Sequence, residues 1–149
     1  MSHTNAWILD LGSNYRAAVG GRELLHLVDV PAIFSVPCTP LYCRSALFWQ
    51  GKLLPVMDIA ARLSGTAHDA QFIAVVGYQQ RRGEYPQFGA VQLLSPPLQV
   101  AVSDEQACDL PQTAQGWDEL AISCFGYLGA AVPVLDLNRL FNTPPALQS

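Results

Sequence analysis

The sequence predicts a mainly-β fold built from two small barrel lobes, and three observations carry that prediction. Short apolar runs, several of them strictly alternating, recur along the chain with glycine, proline and asparagine turns between them, the signature of short strands. Half of the 149 residues are hydrophobic and only 13% are charged, and a chain of this size buries about 68–70% of its unfolded surface. The third observation is a passage written twice. WQGKLLPVMDIAARL, from Trp49, returns as YLGAAVPVLDLNRLF, from Tyr127. Gly51 falls on Gly129, Pro55 on Pro133, Val56 on Val134 and Asp58 on Asp136, at a constant offset of 78 (129 − 51).

Each element follows from local chemistry. Residues 7–11 read as a strand, Gly12-Ser13-Asn14 as a turn, and residues 15–19 as the hairpin partner. Residues 23–30 are apolar and short, a strand or a helical turn. Pro31, Pro37 and Pro40 punctuate an extended connection. Residues 46–49 and 52–57 form a pair around Gln50-Gly51. Asp58 then caps a short helix over 59–63, ended by Ser64-Gly65, because its carboxylate accepts the free N–H groups of a first turn and suits the positive end of the dipole.

Residues 72–77, 89–94 and 98–102 read as further strands, with a polar hairpin loop over 78–87. Residues 103–118, rich in Asp, Gln and Glu, read as a long surface loop. Residues 120–127 and 130–135 are the last strands, Asp136 caps a helix over 137–141, and 142–149 is a tail. Each copy of the repeat is thus a glycine turn, a strand and an aspartate-capped helical turn. The expectation is that the first copy closes an N-terminal lobe and the second a C-terminal lobe. Pro55 and Pro133 cannot donate to a ladder, which places them at strand edges or bulges.

Composition narrows the function. Net charge is −4, and the eight basic residues are scattered apart from Arg81-Arg82, so the chain lacks the electrostatic footprint of a nucleic-acid binder. No apolar run approaches the roughly 18 residues of a membrane span. The stretch 1–14 has no basic segment followed by an apolar one, so a cytoplasmic protein is expected. The glycines form neither dinucleotide nor P-loop spacing. Cys38, Cys43, Cys108 and Cys124 read as reduced thiols. Cys38 and Cys43 have half of a metal spacing, but Cys108 and Cys124 are far apart in sequence and no histidine lies near either pair. His3 falls in the N-terminal tail, His26 in an apolar stretch and His68 in a loop, none beside a nucleophile motif. Asp58 and Asp136 could be paired catalytic carboxylates only if they met across one cleft; helix capping explains both. Phe48 and Trp49 are consecutive in a strand, so one of them must face away from the interior, toward solvent or a partner.

The order and spacing of these features resemble the CheW-like domain of bacterial chemotaxis and related chemosensory systems. Thr39-Pro40, Gly51 and Pro55-Val56-x-Asp58-Ile59 match the family pattern, as do the opening hairpin over 7–19 and the closing turn, strand and helix over 125–141. The resemblance implies one complete domain over 1–149, made of two intertwined five-stranded, SH3-like barrels packed side by side. It implies no catalytic residue, cofactor or metal. It implies an adaptor that couples the cytoplasmic tip of a chemoreceptor to the regulatory domain of a CheA-type histidine kinase, and that also meets other CheW-like domains. The partner-binding turn falls on Phe48, Trp49, Gln50 and Gly51, where the family usually has Asn-Leu-Arg-Gly. Here a neutral amide replaces the guanidinium, which it cannot imitate. A common glycine is Ser45, and residues 91–94 lack the family's acidic strand end. The competing expectations are a small ligand-binding or hydrolytic barrel using Asp58 or Asp136, and a nucleic-acid module, which the acidic charge opposes.

Overall fold

Trp7-Ile8-Leu9 and Ala17-Ala18-Val19 are continuous apolar runs because their strands are covered on both faces. They belong to the opening hairpin, β1 (His3–Gly12) and β2 (Tyr15–Gly20). The computed structural model describes residues 3–29, 33–36, 41–66, 69, 71–79, 81–110 and 116–142. After the hairpin come β3 (Leu24–Asp29), β4 (Ile33–Ser35), a 3-10 turn (Leu41–Cys43), β5 (Ser45–Trp49), β6 (Lys52–Met57) and α1 (Ile59–Ser64). The second half contains β7 (Phe72–Tyr78), β8 (Gln87–Leu93), β9 (Ser95–Ser103), a 3-10 turn (Asp104–Gln106), α2 (Trp117–Leu120), β10 (Ala121–Tyr127), β11 (Ala130–Leu135) and α3 (Leu137–Asn142).

The strands form two curled sheets. One has five strands in the order β10-β11-β2-β1-β9, and the other six in the order β3-β7-β8-β6-β5-β4. The sixth is β4, a short edge strand added beyond the expected five. Residues 24–29, left open between strand and helical turn, are strand β3, paired antiparallel with β7.

The lobes are not the N- and C-terminal halves. The second copy of the repeat, β10–β11, joins the N-terminal hairpin; the first copy, β5–β6, joins β7 and β8. This corrects the expectation that each copy closes the lobe of its own half. The reason lies in the ladders after the prolines. Val134 pairs in parallel with Ala18, and Val56 pairs in parallel with Ala90. A parallel neighbour needs a long crossover, so neither copy can reach the strand it pairs with by a tight turn. Two further strands cross over: β3 leaves the β1–β2 hairpin for β7, and β9 leaves the β7–β8 hairpin for β1.

The prolines also sit differently from expectation. Both lie in interior strands, and no register shift falls at either. They are tolerated because the second-side ladder begins one residue later, at Val56 and at Val134, so no bond is asked of a missing N–H on that side.

Side-chain alternation divides the core in three. Leu9, Leu11, Ala17, Val19, Ala74, Val76, Val91, Leu93 and Leu135 meet between the sheets, joined by Ile59, Trp117, Leu120, Leu137 and Leu140 from the helical segments. Ala6, Ile8, Ala18, Val100, Phe125 and Val132 fill the curl of the first sheet, and Leu47, Leu54, Val56, Ile73, Val75 and Ala90 that of the second. Trp117 corrects the reading of 103–118 as a surface loop. It is 3% exposed and packs edge-on against Tyr15 at 6.3 Å. His3 belongs to β1 rather than a tail, its backbone registered with Ser103. His68, Cys38, Thr39, Pro40 and residues 143–149 lie outside the described residues.

Candidate functional site

The two copies of the repeat share one skeleton. Gln50-Gly51 and Leu128-Gly129 have φ of 48°, 77° and 50°, 81°. Positive φ at both central residues is the hairpin turn that matches strand twist, and it favours glycine second. At the far end, Ala61 N–H donates to Asp58 Oδ1 at 3.1 Å, and Asn138 and Arg139 N–H donate to Asp136 Oδ1 at 3.1 and 3.3 Å. The correspondence extends upstream of what the sequence comparison found. Asp58 N–H donates to Tyr42 O at 2.7 Å, and Asp136 N–H to Leu120 O at 2.8 Å. Tyr42 and Leu120 are themselves 78 apart (120 − 42) and lie in the helical turns preceding β5 and β10. Each carboxylate is engaged by the first turn of its own helix, the arrangement of a cap.

What the copies do not share is their outer face. On β5 and β6, Leu47, Leu54 and Val56 point into the curl, while Phe48 pairs with Leu53 on the other side. Phe48 is 62% exposed and Leu53 63%. Phe34 of β4, opposite Ala46, adds a third large apolar side chain at 56%, and exposed Pro55 lies opposite Ala46 on the far side. At the positions of Phe48 and Leu53 the second copy has Gly126 and Ala131, again directly paired. The skeleton therefore does not require large apolar groups there. A contiguous apolar face that the fold does not need marks an interaction site.

The proposed turn residues divide. Phe48 points outward. Trp49 is partly buried against the curl's core, its ring 5.7 Å from Phe88 and 6.5 Å from His26, while Lys52 Nζ sits 4.0 Å over Phe88. Gln50 and Gly51 are exposed at the tip. Period-2 reasoning said that one of Phe48 and Trp49 faces out without saying which, and it missed Phe34 and Leu53. The signal for Leu53 was present, since it alternates with buried Leu54; Phe34 needed the β4 pairing, which sequence does not supply.

The turn over 20–23 holds itself together: Gly20 N–H donates to Glu23 Oε1 at 2.7 Å and Glu23 N–H to Gly20 O at 3.0 Å. Arg22 and Glu23 line two open clefts, of about 400 and 470 Å³. Burial raises the Glu23 carboxyl above the ordinary glutamate range against the pull of the Gly20 N–H, and Asp136 adds to the rise.

Cys108 and Cys124, distant in sequence, meet in space, with Sγ atoms 3.2 Å apart. Burial first, then the neighbouring Cys108, push the Cys124 thiol up to about 12. Among the described residues no group of three or more His, Cys, Asp or Glu side chains could hold a metal ion, and no helix is long and apolar enough to cross a membrane.

No family model matches the sequence, and no curated protein matches it. Solved structures do match. The scaffolding protein TtCheW from Thermoanaerobacter tengcongensis aligns with a TM-score of 0.75 over 95% of this chain and 94% of its own, at 14% identity. The two curled sheets, with their short capped helices, are therefore a CheW-like fold.

Proposed function

We propose that the protein is a non-catalytic adaptor of a bacterial chemosensory system, a single CheW-like domain serving chemotaxis or pilus motility. Its partners in this reading are the cytoplasmic tip of a chemoreceptor, the regulatory domain of a CheA-type histidine kinase and other CheW-like domains. The single observation that supports it best is the exposed face of Phe34, Phe48 and Leu53, of which the paired Phe48 and Leu53 are replaced by Gly126 and Ala131 in the second copy of the repeat. The fold shared with a scaffolding protein agrees with it. Aromatic side chains at a desolvated contact dominate binding energy, so the apolar face takes over the recognition that an arginine at position 50 would otherwise supply.

The test is calorimetric titration of the purified protein with its cognate kinase regulatory domain and receptor tip. Transient signalling contacts of this kind give affinities of about micromolar. The double variant Phe48→Ser with Leu53→Ser is expected to bind at least about tenfold more weakly while melting like the wild type. Binding that is undetectable for the wild type, or equal for both proteins, refutes the assignment.

A further inference from the structure

We propose that Cys108 and Cys124 form a redox modification site, a dithiol that peroxide closes to a disulfide along the outer edge of β10. β10 is an end strand of its sheet. The segment after β9 returns along that edge. Gln106 Nε2 donates to Gly126 O at 3.1 Å, Ala107 bridges Phe125 antiparallel, and Cys108 N–H donates to Cys124 O at 3.0 Å. The bridge makes Cys108 the residue directly opposite Cys124. Opposite residues of an antiparallel pair have Cα atoms about 4.5 or 5.5 Å apart, inside the range of about 4.4–6.8 Å that a disulfide spans. The Sγ atoms are already 3.2 Å apart, so closure asks for a further approach of about 1 Å between the two sulfurs.

The two thiols differ in the way a stepwise oxidation requires. Cys108 is exposed and Cys124 buried. Cys108, as its thiolate, attacks one peroxide oxygen: the O–O bond breaks, hydroxide leaves and takes a proton to become water, and Cys108 becomes a sulfenic acid. Cys124 then attacks the sulfenic sulfur. The S–S bond forms, the S–O bond breaks, and the departing hydroxyl takes the Cys124 proton as a second water. The two thiols have lost two electrons and the peroxide has gained them. Exposure sets the order of attack: the accessible sulfur meets peroxide first, and the shielded one in contact with it resolves it. The product clamps the 104–108 segment over strand groups that a sheet edge otherwise offers to another chain.

The experiment uses the full chain. Reduced protein is treated with hydrogen peroxide, unfolded in a thiol-blocking reagent, and analysed by intact mass and peptide mapping. The expected result is a loss of two hydrogens, loss of blocking at both Cys108 and Cys124, and one linked peptide pair, all reversed by dithiothreitol. In Cys124→Ala the oxidation should stop at a Cys108 sulfenic acid that dimedone traps. Amides of 107 and 108 should exchange at least about tenfold more slowly in the oxidised wild type. Free thiols at both positions after a dose that oxidises a cysteine peptide, over-oxidation of Cys108 to sulfinic acid in the wild type, or linkage through Cys38 or Cys43 instead would each overturn the proposal. None of these outcomes depends on which partners the protein binds.

Discussion

Removing the two capping aspartates separately should destabilise the protein by unequal amounts, and the inequality can be worked from burial. Asp58 is 3% exposed, and the Ala61 N–H it accepts is buried with it. Losing a cap typically costs about 1 kcal/mol, and leaving a buried donor without a partner adds about 1–3 kcal/mol because water cannot replace the acceptor. Asp58→Ala should therefore cost about 2–4 kcal/mol in all. Asp136 performs the same role where water has access, with a side chain 25% exposed and an ion pair to half-exposed Arg139 at 3.4 Å. Its N–H partners can be resolvated and the surface pair is worth little, so Asp136→Ala should cost about 1 kcal/mol. At this chain length each kcal/mol moves the melting temperature by about 2–4 °C, so falls of roughly 4–16 °C and 2–4 °C are expected by calorimetry or circular dichroism. Asp58→Asn should recover most of the loss, since asparagine caps as well as aspartate. Equal losses for the two alanine variants, or an unshifted melt for Asp58→Ala, would refute the burial argument. Unchanged stability with loss of turnover on some identified substrate would make the aspartates catalytic.

Other expectations follow from single contacts. A Cβ at Gly89 would lie 2.4 Å from the Phe141 ring, which stacks on Tyr78 at 5.6 Å; Gly89→Ala should cost about 1–3 kcal/mol in a urea melt, and Phe141→Leu should recover part of it. Glu23 has a folded-state value above its unfolded one, so the stability tied to its protonated form is complete below the ordinary glutamate range and is lost as pH rises through the raised value. Glu23→Gln should accordingly be more stable than wild type at pH 7 and show a smaller fall across that window, read from denaturant midpoints at several pH values. Leu128, 85% exposed at φ 50°, suits asparagine better, and Leu128→Asn should gain up to about 1 kcal/mol in the same melt. Gln50→Arg should fold normally and shift calorimetric affinity toward conventional CheW-like partners; equal affinity for all partners would remove the turn from the recognition surface.

The repeat made the hairpins, turns and caps legible, because each rests on chemistry within a dozen residues: a glycine at positive φ, a carboxylate before a first turn. The two-faced burial of β1 and β7 was also written in their unbroken apolar runs. Which sheet each strand enters was not. Nothing local to Leu24–Asp29 says that it pairs with Phe72–Tyr78, or that Ser95–Ser103 returns to β1. Trp117 hid in a polar stretch, although Tyr42 and Leu120, at the repeat's own spacing, held a clue that a helical turn precedes each second hairpin. The sulfurs of Cys108 and Cys124 meet only because Ala107 bridges Phe125, a pairing of two segments with no shared pattern. Alternation alone said that one of Phe48 and Trp49 faces out, whereas which one, and the face it belongs to, required the neighbouring strands.

The division of the first sheet between the two ends of the chain also governs how the protein comes to life on the ribosome. The β1–β2 hairpin is made first, yet its sheet neighbours are β9, beginning at Ser95, and β11, beginning at Ala130. At about 5–20 residues per second, the nascent hairpin waits roughly 5–20 s for the second of them. Throughout that interval the outer faces of the β1–β2 hairpin wait for native cover, while β3 to β8 emerge in one run, so the first sheet is completed after the second. β3 to β8 run consecutively from Leu24 to Leu93, so the second sheet keeps all of its strands when the chain is cut after β8, whereas the first sheet, with β1 and β2 before that stretch and β9 to β11 after it, is assembled from two separated pieces of chain.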